Sequence, residues 1–400
     1  MVWVVILVTV RTFRGPREGE IEYDNVFDAL AHTLGVLALS TSSAVKPVPV
    51  QLQARKTQNG HISGIRRRAL DAIGVPLDDF FLGTDLQWFG NISVGTPPQP
   101  VSVVFDTGSQ TLEFAETGCK SCAQINPSKS STFKRGTRKE TLPFPTGVGV
   151  DPIVDNDYVL TIQSATDSVT VGGITLEKVS LTIIDQTAAF NGTGRSEGFA
   201  ALNDQGLDAL FSMFLTPHTV GNAELIIGGV DNSKFTGDLV WADQSGQGDW
   251  TTDVLDQPRD IIFDSGTSNV LFSTQIAEAM YALISADIQP FDTKPSAYDL
   301  PYDKIGDLPA VIDIAFTARD GEPFTLTIPS TELNVGRFKS DPSTCQTLIN
   351  SFDGLDLVGG SVLKHYYSVW DVGNQRMGFA PTGLRHLLSS APFSVCVYWC

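Results

Sequence analysis

The sequence predicts an all-β protein built from two related lobes, and three observations carry that prediction. The composition, with 36 Gly, 22 Pro and 23 Phe in 400 residues, favours strands and tight turns over long helices. From residue 85 onward the chain is a succession of short apolar runs bounded by turn residues, and one stretch alone shows helical spacing. Finally, one motif occurs twice: Phe105-Asp106-Thr107-Gly108-Ser109 after Val103-Val104, and Phe263-Asp264-Ser265-Gly266-Thr267 after Ile261-Ile262. A lone Asp-hydroxyl-Gly triplet arises by chance. Two copies with the same apolar lead-in and the same trailing hydroxyl point to two related halves, each delivering one carboxylate to a common site. A chain of 400 residues has room for two lobes of ordinary domain size plus extensions.

Charge narrows the partners. Residues 1–85 hold nine basic and nine acidic side chains, so the net charge of −18 lies entirely on the rest. An acidic body argues against nucleic acid or an anionic membrane surface as partner. It suits work in acid, where carboxylates lose their charge, and equally suits solubility alone. Of five cysteines, Cys119 and Cys122 are close together, Cys345 is isolated, and Cys396 and Cys400 end the chain. No second Cys pair or His pair completes a zinc set, and a local Cys119–Cys122 disulfide in a secreted protein is the expectation; no metal is expected. The sequons at Asn91 and Asn191 agree with secretion and are candidate glycosylation sites.

In chain order, residues 1–44 are expected to be a targeting segment. Met1 to Val10 is apolar but lacks a basic lead and a small-residue cleavage site, whereas Ala29 to Leu39 runs into Ser40-Thr41-Ser42-Ser43-Ala44, a better cleavage region. The true start is therefore expected to lie elsewhere than Met1, with about the first 25 residues outside the natural protein. No transmembrane helix is expected. Residues 45–84 carry Lys46, Arg55, Lys56 and Arg66-Arg67-Arg68, with no acidic residue from 46 to 68. This basic stretch is expected to be a propeptide held on the acidic body by charge, with a solvated linker as the alternative. The first lobe is expected over 85–240, the second over 241–382, and residues 383–400 form an atypical tail.

Within the lobes, Asp85 to Phe89 and Val101 to Phe105 read as strands around the turn Gly95-Thr96-Pro97-Pro98-Gln99-Pro100. Val169 to Leu176 reads as a hairpin about Gly172-Gly173. Leu225 to Val230 and Phe324 to Ile328 are further strands. Gln275 to Ile288, with Ile276, Met280, Leu283 and Ile284 at helical spacing, is the one amphipathic helix.

Two carboxylates within a few ångströms of one another cannot both ionise, so Asp106 and Asp264 are expected to share a proton. The ionised member can take a proton from a water while the other polarises a carbonyl, which is hydrolysis without a covalent intermediate. Gly108 and Gly266 let backbone amides approach the carboxylates. Thr107 and Ser265 can bond across the axis between the halves, and Ser109 and Thr267 can donate to the outer carboxylate oxygens.

These residues resemble those of the pepsin-like aspartic proteases, peptidase family A1, of the secreted fungal kind. The resemblance rests on Gly95-Thr96-Pro97-Pro98-Gln99 before Asp106-Thr107-Gly108-Ser109, on Asn126 to Phe133, on Gly228-Gly229-Val230-Asp231, and on Leu357-Val358-Gly359-Gly360 through Trp370-Asp371 to Gly378-Phe379-Ala380-Pro381. It covers roughly residues 85–382. It implies a bilobal fold of two barrel-like β-lobes related by a pseudo-twofold axis with a cleft between them. It also implies a zymogen-derived, monomeric endopeptidase cutting polypeptides at acid pH without a cofactor, secreted or vacuolar in location.

The chain departs from that family in places. The flap motif Tyr-Gly-Thr-Gly is represented by Phe144-Pro145-Thr146-Gly147, and Glu113 stands where a Trp is usual. An apolar pair plus Gly is expected behind each Asp loop; Leu357-Val358-Gly359 supplies the second, while the first offers the polar Ser196-Glu197-Gly198. Cys345 lacks the partner expected some forty residues earlier, where Pro301-Tyr302 stands. These departures define the rival reading, a weakened or inactive protein of this fold that binds or inhibits. Phosphate-loop kinase folds need alternating helices that the chain lacks, and a serine hydrolase needs a His motif that none of the five His provides.

Overall fold

The computed structural model describes residues 4–6, 72–81, 85–108, 112–116, 124–144, 158–184, 207–245, 251–253, 260–308, 310–338, 340–384 and 393–396. The fold is all-β and two-lobed, and the main sheet joins the lobes. Its order runs from Val240–Asp243 through Arg376–Pro381, Tyr366–Asp371, Leu210–Phe214, Ala223–Ile227, Ile73–Phe81 and Asp85–Val94 to Tyr158–Val171, Ile174–Ile184, Glu113–Glu116 and Gln124–Ile125. Strands from the two halves therefore meet in the middle, where Leu210–Phe214 pairs antiparallel with Tyr366–Asp371. Phe211 stacks flat on Trp370 across that seam, with ring centroids 5.1 Å apart. The sheets show no closed barrel among the described residues.

Most local expectations translate into elements, but the strand expected at Leu225 to Val230 is Ala223–Ile227, ended by Gly228 at positive φ. The 95–98 turn joins the strands Asp85–Val94 and Gln99–Phe105, paired from Val94↔Gln99 to Phe89↔Val104. Gly172 and Gly173 take positive φ in the two-residue turn between Tyr158–Val171 and Ile174–Ile184, a conformation that side chains resist. Asp85–Val94 buries Trp88, whose indole N–H donates to the Thr216 carbonyl at 2.8 Å. The strand Ile73–Phe81, inside the segment expected as propeptide, pairs with Ala223–Ile227 on one side and Asp85–Val94 on the other.

The helix needs correction. It spans Thr274–Ile284 and ends four residues before the expected boundary, and its buried face is Ile276, Ala277, Met280 and Tyr281. Leu283, expected on that face, is 66% exposed. Ala277 and Tyr281 rotate the buried stripe away from it. The Tyr281 hydroxyl anchors this face by donating to the Ile349 carbonyl at 2.9 Å and accepting from the Ile349 N–H at 2.7 Å.

The two Asp-bearing strands are flanked alike. Asp260–Asp264 pairs in parallel with Leu357–Gly359, with Phe263↔Val358 and Asp264↔Gly359 in register. Val103 to Phe105 pairs in parallel with Val4–Ile6, from Val4↔Val103 to Ile6↔Phe105. The backing place in the first lobe, for which Ser196-Glu197-Gly198 was the nearest sequence candidate, thus holds the chain's own apolar start; residues 196–198 lie outside the described residues. Cys345 is buried and free, paired opposite Leu300 with Pro301 next in register, and burial pushes its thiol pKa up.

Behind the second loop, Gly360–Leu363 forms a short helix that leads into a buried charge cluster. Lys364 Nζ lies 2.9 Å from Glu332 Oε2, and His365 Nε2 lies 3.1 Å from Glu332 Oε1. Burial alone would raise the Glu332 pKa, but the His365 hydrogen bond and the Lys364 and His365 charges outweigh it and hold it below the ordinary Glu value. A lowered carboxyl pKa stabilises the fold above the unfolded pKa and stops doing so as pH falls through the folded one. Replacing Glu332 by Gln is therefore expected to cost about 3 kcal/mol near neutral pH, because it removes the buried carboxylate that pairs with Lys364 and His365. The gap in melting temperature from the wild type should narrow in strong acid, as calorimetry over a pH series would show.

Candidate active site

Asp106 directly follows the strand Gln99–Phe105 and Asp264 ends the strand Asp260–Asp264, so each carboxylate is presented at a strand end with buried apolar residues behind it. Val103, Val104 and Phe105 lie behind Asp106, and Ile261 and Phe263 behind Asp264. Both carboxylates are nearly buried, at 8% and 6% exposure. Each is held by its own loop: the Gly108 N–H donates to Asp106 Oδ1 at 2.7 Å and the Gly266 N–H to Asp264 Oδ1 at 2.8 Å. The Thr267 hydroxyl donates to the outer oxygen, Asp264 Oδ2, at 2.7 Å.

The loops are tied to one another by a reciprocal brace. The Thr107 hydroxyl donates to the Phe263 carbonyl at 2.8 Å and accepts from the Ser265 N–H at 3.0 Å. The Ser265 hydroxyl donates to the Phe105 carbonyl at 2.8 Å and accepts from the Thr107 N–H at 3.0 Å. All four bonds are buried, and together they apply the same contact twice about a local twofold axis. The motifs are thus brought face to face. A β-carbon on Gly108 would collide with the Asp264 carboxyl, and one on Gly266 with the Asp106 carboxyl. Glycine at both positions is required by this approach rather than by backbone angle.

The second loop has a further support. Gly359 packs so closely on Asn269 and Thr267 that a β-carbon would strike their carbonyls. Just beyond it, the Gly360 N–H donates to the Thr267 carbonyl at 2.7 Å and the Ser361 N–H to that of Ser268 at 3.2 Å. Gln87 was not singled out from the sequence. Its side chain is fully buried and donates to the Gly266 carbonyl, linking the Asp85–Val94 strand to the opposite loop. A contact spanning 179 positions leaves no local signature.

Of the other sequence candidates, Asn91 is exposed on its strand and accepts from the Ser102 hydroxyl at 2.8 Å. Phe144 ends the strand Lys134–Phe144, opposite Tyr158. Ser109, Cys119, Cys122, Thr146, Gly147 and Asn191 lie outside the described residues. Glu113 occupies a fully buried place on Glu113–Glu116, opposite Thr182. No group of His, Cys, Asp or Glu suited to a metal occurs among the described residues.

Two facing, mutually braced Asp loops at the meeting of two β-lobes define the class of aspartic hydrolases. The comparisons with known proteins agree with the geometry. The eukaryotic aspartyl protease family description matches residues 87–382. Pepsin A of Sus scrofa is 29% identical over 336 residues, which cover 76% of this chain and 83% of that protein. Cathepsin E-B of Xenopus laevis is 29% identical over 331 residues, covering 74% and 80%. Gastricsin of Cavia porcellus is 28% identical over 328 residues, again 74% and 80%. The chain belongs to the eukaryotic aspartyl protease family, and it is an aspartic endopeptidase.

The brace yields a direct test. Thr107→Val would strip partners from the buried Phe263 carbonyl and Ser265 N–H, at an expected cost of about 2 kcal/mol or more. Thr107→Ser keeps all of these bonds and should stay near wild type. Chemical unfolding of the two variants side by side would measure the difference.

Proposed function

We propose that Asp106 and Asp264 are the catalytic pair, sharing one proton and activating a water for attack on a peptide carbonyl. Their nearly buried carboxyls, each against the other loop's glycine, are the observation that carries this reading. Aspartic proteases are the standard example of two carboxyls sharing one proton because like charges so close cannot both ionise. The ionised Asp accepts the water proton, the protonated one hydrogen-bonds the substrate carbonyl, and the resulting tetrahedral diol collapses when the amide nitrogen takes a proton. Thr107 and Ser265 fix the spacing of the pair. Gly108, Gly266 and Thr267 donate to the carboxylates, and Ser109 is assigned the donor role in the first loop that Thr267 has in the second. Phe144, Thr146 and Gly147 are assigned to the tip of the hairpin that lies over bound substrate.

The substrates are polypeptides, and the enzyme acts as a monomer outside the cytosol, in an acidic extracellular or vacuolar space. The acidic body and the sequons at Asn91 and Asn191 support that location, and Cys119 and Cys122, close in sequence, are read as a local disulfide. Asp106→Asn and Asp264→Asn should each lower cleavage of a denatured protein in acid by several orders of magnitude. A statin-type transition-state mimic should block the wild type. Undiminished cleavage by either variant would remove the dyad, and absent cleavage by the folded, processed wild type would favour a binding role.

The basic segment before Ala69 is read as the propeptide, released by cutting after Arg66-Arg67-Arg68. Ile73–Phe81, paired on both sides, supports a mature chain that begins just ahead of it. Mass spectrometry of the active enzyme should find its first residue between Ala69 and Ile73. An active chain still carrying Val4–Ile6 would instead make that strand a lasting part of the first lobe.

A further inference from the structure

A polar cluster at the foot of the hairpin Lys134–Phe144/Tyr158–Val171 is not used by the chemistry above. Asp167 is 1% exposed, although an acidic side chain in a core is costly unless donors surround it. Its Oδ1 accepts from the Thr132 hydroxyl at 2.6 Å, the Ser130 hydroxyl at 2.9 Å and the Ser168 N–H at 2.8 Å. Its Oδ2 is buried and meets no donor among the described residues. The Ser130 hydroxyl also accepts from the Thr96 N–H at 3.1 Å, and Thr96 Oγ1 lies 3.0 Å from Thr132 Oγ1 and 3.1 Å from Ser168 Oγ. The Gly95 N–H donates to the Ser168 carbonyl, and the Ser131 N–H to that of Thr96, each at 2.8 Å. A β-carbon on Gly95 would press on Ser130 at 2.8 Å and approach Asp167 at 3.1 Å.

The position of this cluster is specific. Lys134↔Thr166 is the last pair of the hairpin, so Thr132 and Asp167 are the residues where its two arms enter the body. Thr96 belongs to the turn that joins the strands Asp85–Val94 and Gln99–Phe105, the second of which leads to Asp106. The pairing is irregular on both sides of the cluster. One register shift falls between Arg135 and Lys139 in the hairpin, the other between Asp167 and Val169 against Ile174–Ile184. Bulges bend a strand and re-aim what lies beyond them. The ladder alone therefore does not fix the direction of the hairpin, and the Asp167 cluster supplies the missing constraint.

We propose that Asp167, with Ser130 and Thr132, is a positioning centre for the reaction: it sets the angle of the hairpin arms relative to the Asp106 strand and so determines how firmly a peptide is held over the catalytic pair. This rests on the reading of that hairpin as the arm that contacts substrate. Because the cluster acts on binding rather than on the water, its loss should appear in KM and in the dissociation rate of a statin-type inhibitor, with kcat little changed.

The experiment compares Asp167→Ala, Thr132→Val, Ser130→Ala and Thr132→Ser in the active enzyme obtained after processing, with active sites counted by tight inhibitor titration. Each bond lost to the carboxylate should raise KM and the inhibitor dissociation rate by about tenfold. Values of kcat per titrated site should stay within about twofold, and Thr132→Ser, which keeps the hydroxyl, should match the wild type. A cluster that merely stabilises the fold would lower the melting temperature and leave KM and dissociation unchanged per titrated site, and that result overturns the proposal. Phe144→Ala separates the two premises. If it raises KM while the cluster variants are silent, the cluster assignment fails alone. If both are silent, the reading of the hairpin fails with it.

Discussion

The brace between Thr107 and Ser265 is the constraint on which the rest of the site depends. Each hydroxyl donates to a carbonyl of the opposite loop and accepts from that loop's amide, so four buried groups at the junction are satisfied by two side chains. A half-made version would leave amides and carbonyls stranded in a dry interior, which is more costly than having no polar groups there. The loops are therefore held together or not at all. The glycines follow from this closeness: with the loops locked, no β-carbon fits between Gly108 and Asp264 or between Gly266 and Asp106.

Around the brace the two lobes are built alike and supported differently. Both Asp residues stand at the end of a buried strand flanked in parallel by a second apolar strand. In the second lobe that flank belongs to a continuous run, from Leu357–Gly359 through the Gly360–Leu363 helix to Lys364 and its buried pair with Glu332. In the first lobe the flank is Val4–Ile6, which cutting after Arg66-Arg67-Arg68 would sever from the rest of the chain. The strand Asp85–Val94, paired beside Gln99–Phe105, carries Gln87 to Gly266 of the second loop and Trp88 to Thr216.

Substitutions that looked like losses have physical counterparts in the packing. Glu113 is fully buried where an aromatic residue was expected, and Cys345 is a buried thiol opposite Leu300 instead of half of a disulfide. Both sit inside sheets whose backbone pairing is intact.

The sequence by itself determined the strands, the hairpin turns and the two motifs, because each is written in neighbouring residues: apolar alternation, Gly172-Gly173, and an Asp followed by a hydroxyl residue and Gly. It also singled out Thr107 and Ser265, since a repeated motif implies a symmetric contact. What only the tertiary structure decided are contacts between residues far apart in the chain. Val4–Ile6 beside Val103–Phe105, Gln87 reaching Gly266, and Asp167 gathering Thr132 and Ser130 depend on distances that no local pattern encodes. The rotation of the Thr274–Ile284 helix that exposes Leu283 was settled in the same way. Helical spacing defines a stripe, but the partner packed against the helix selects which residues of that stripe are buried.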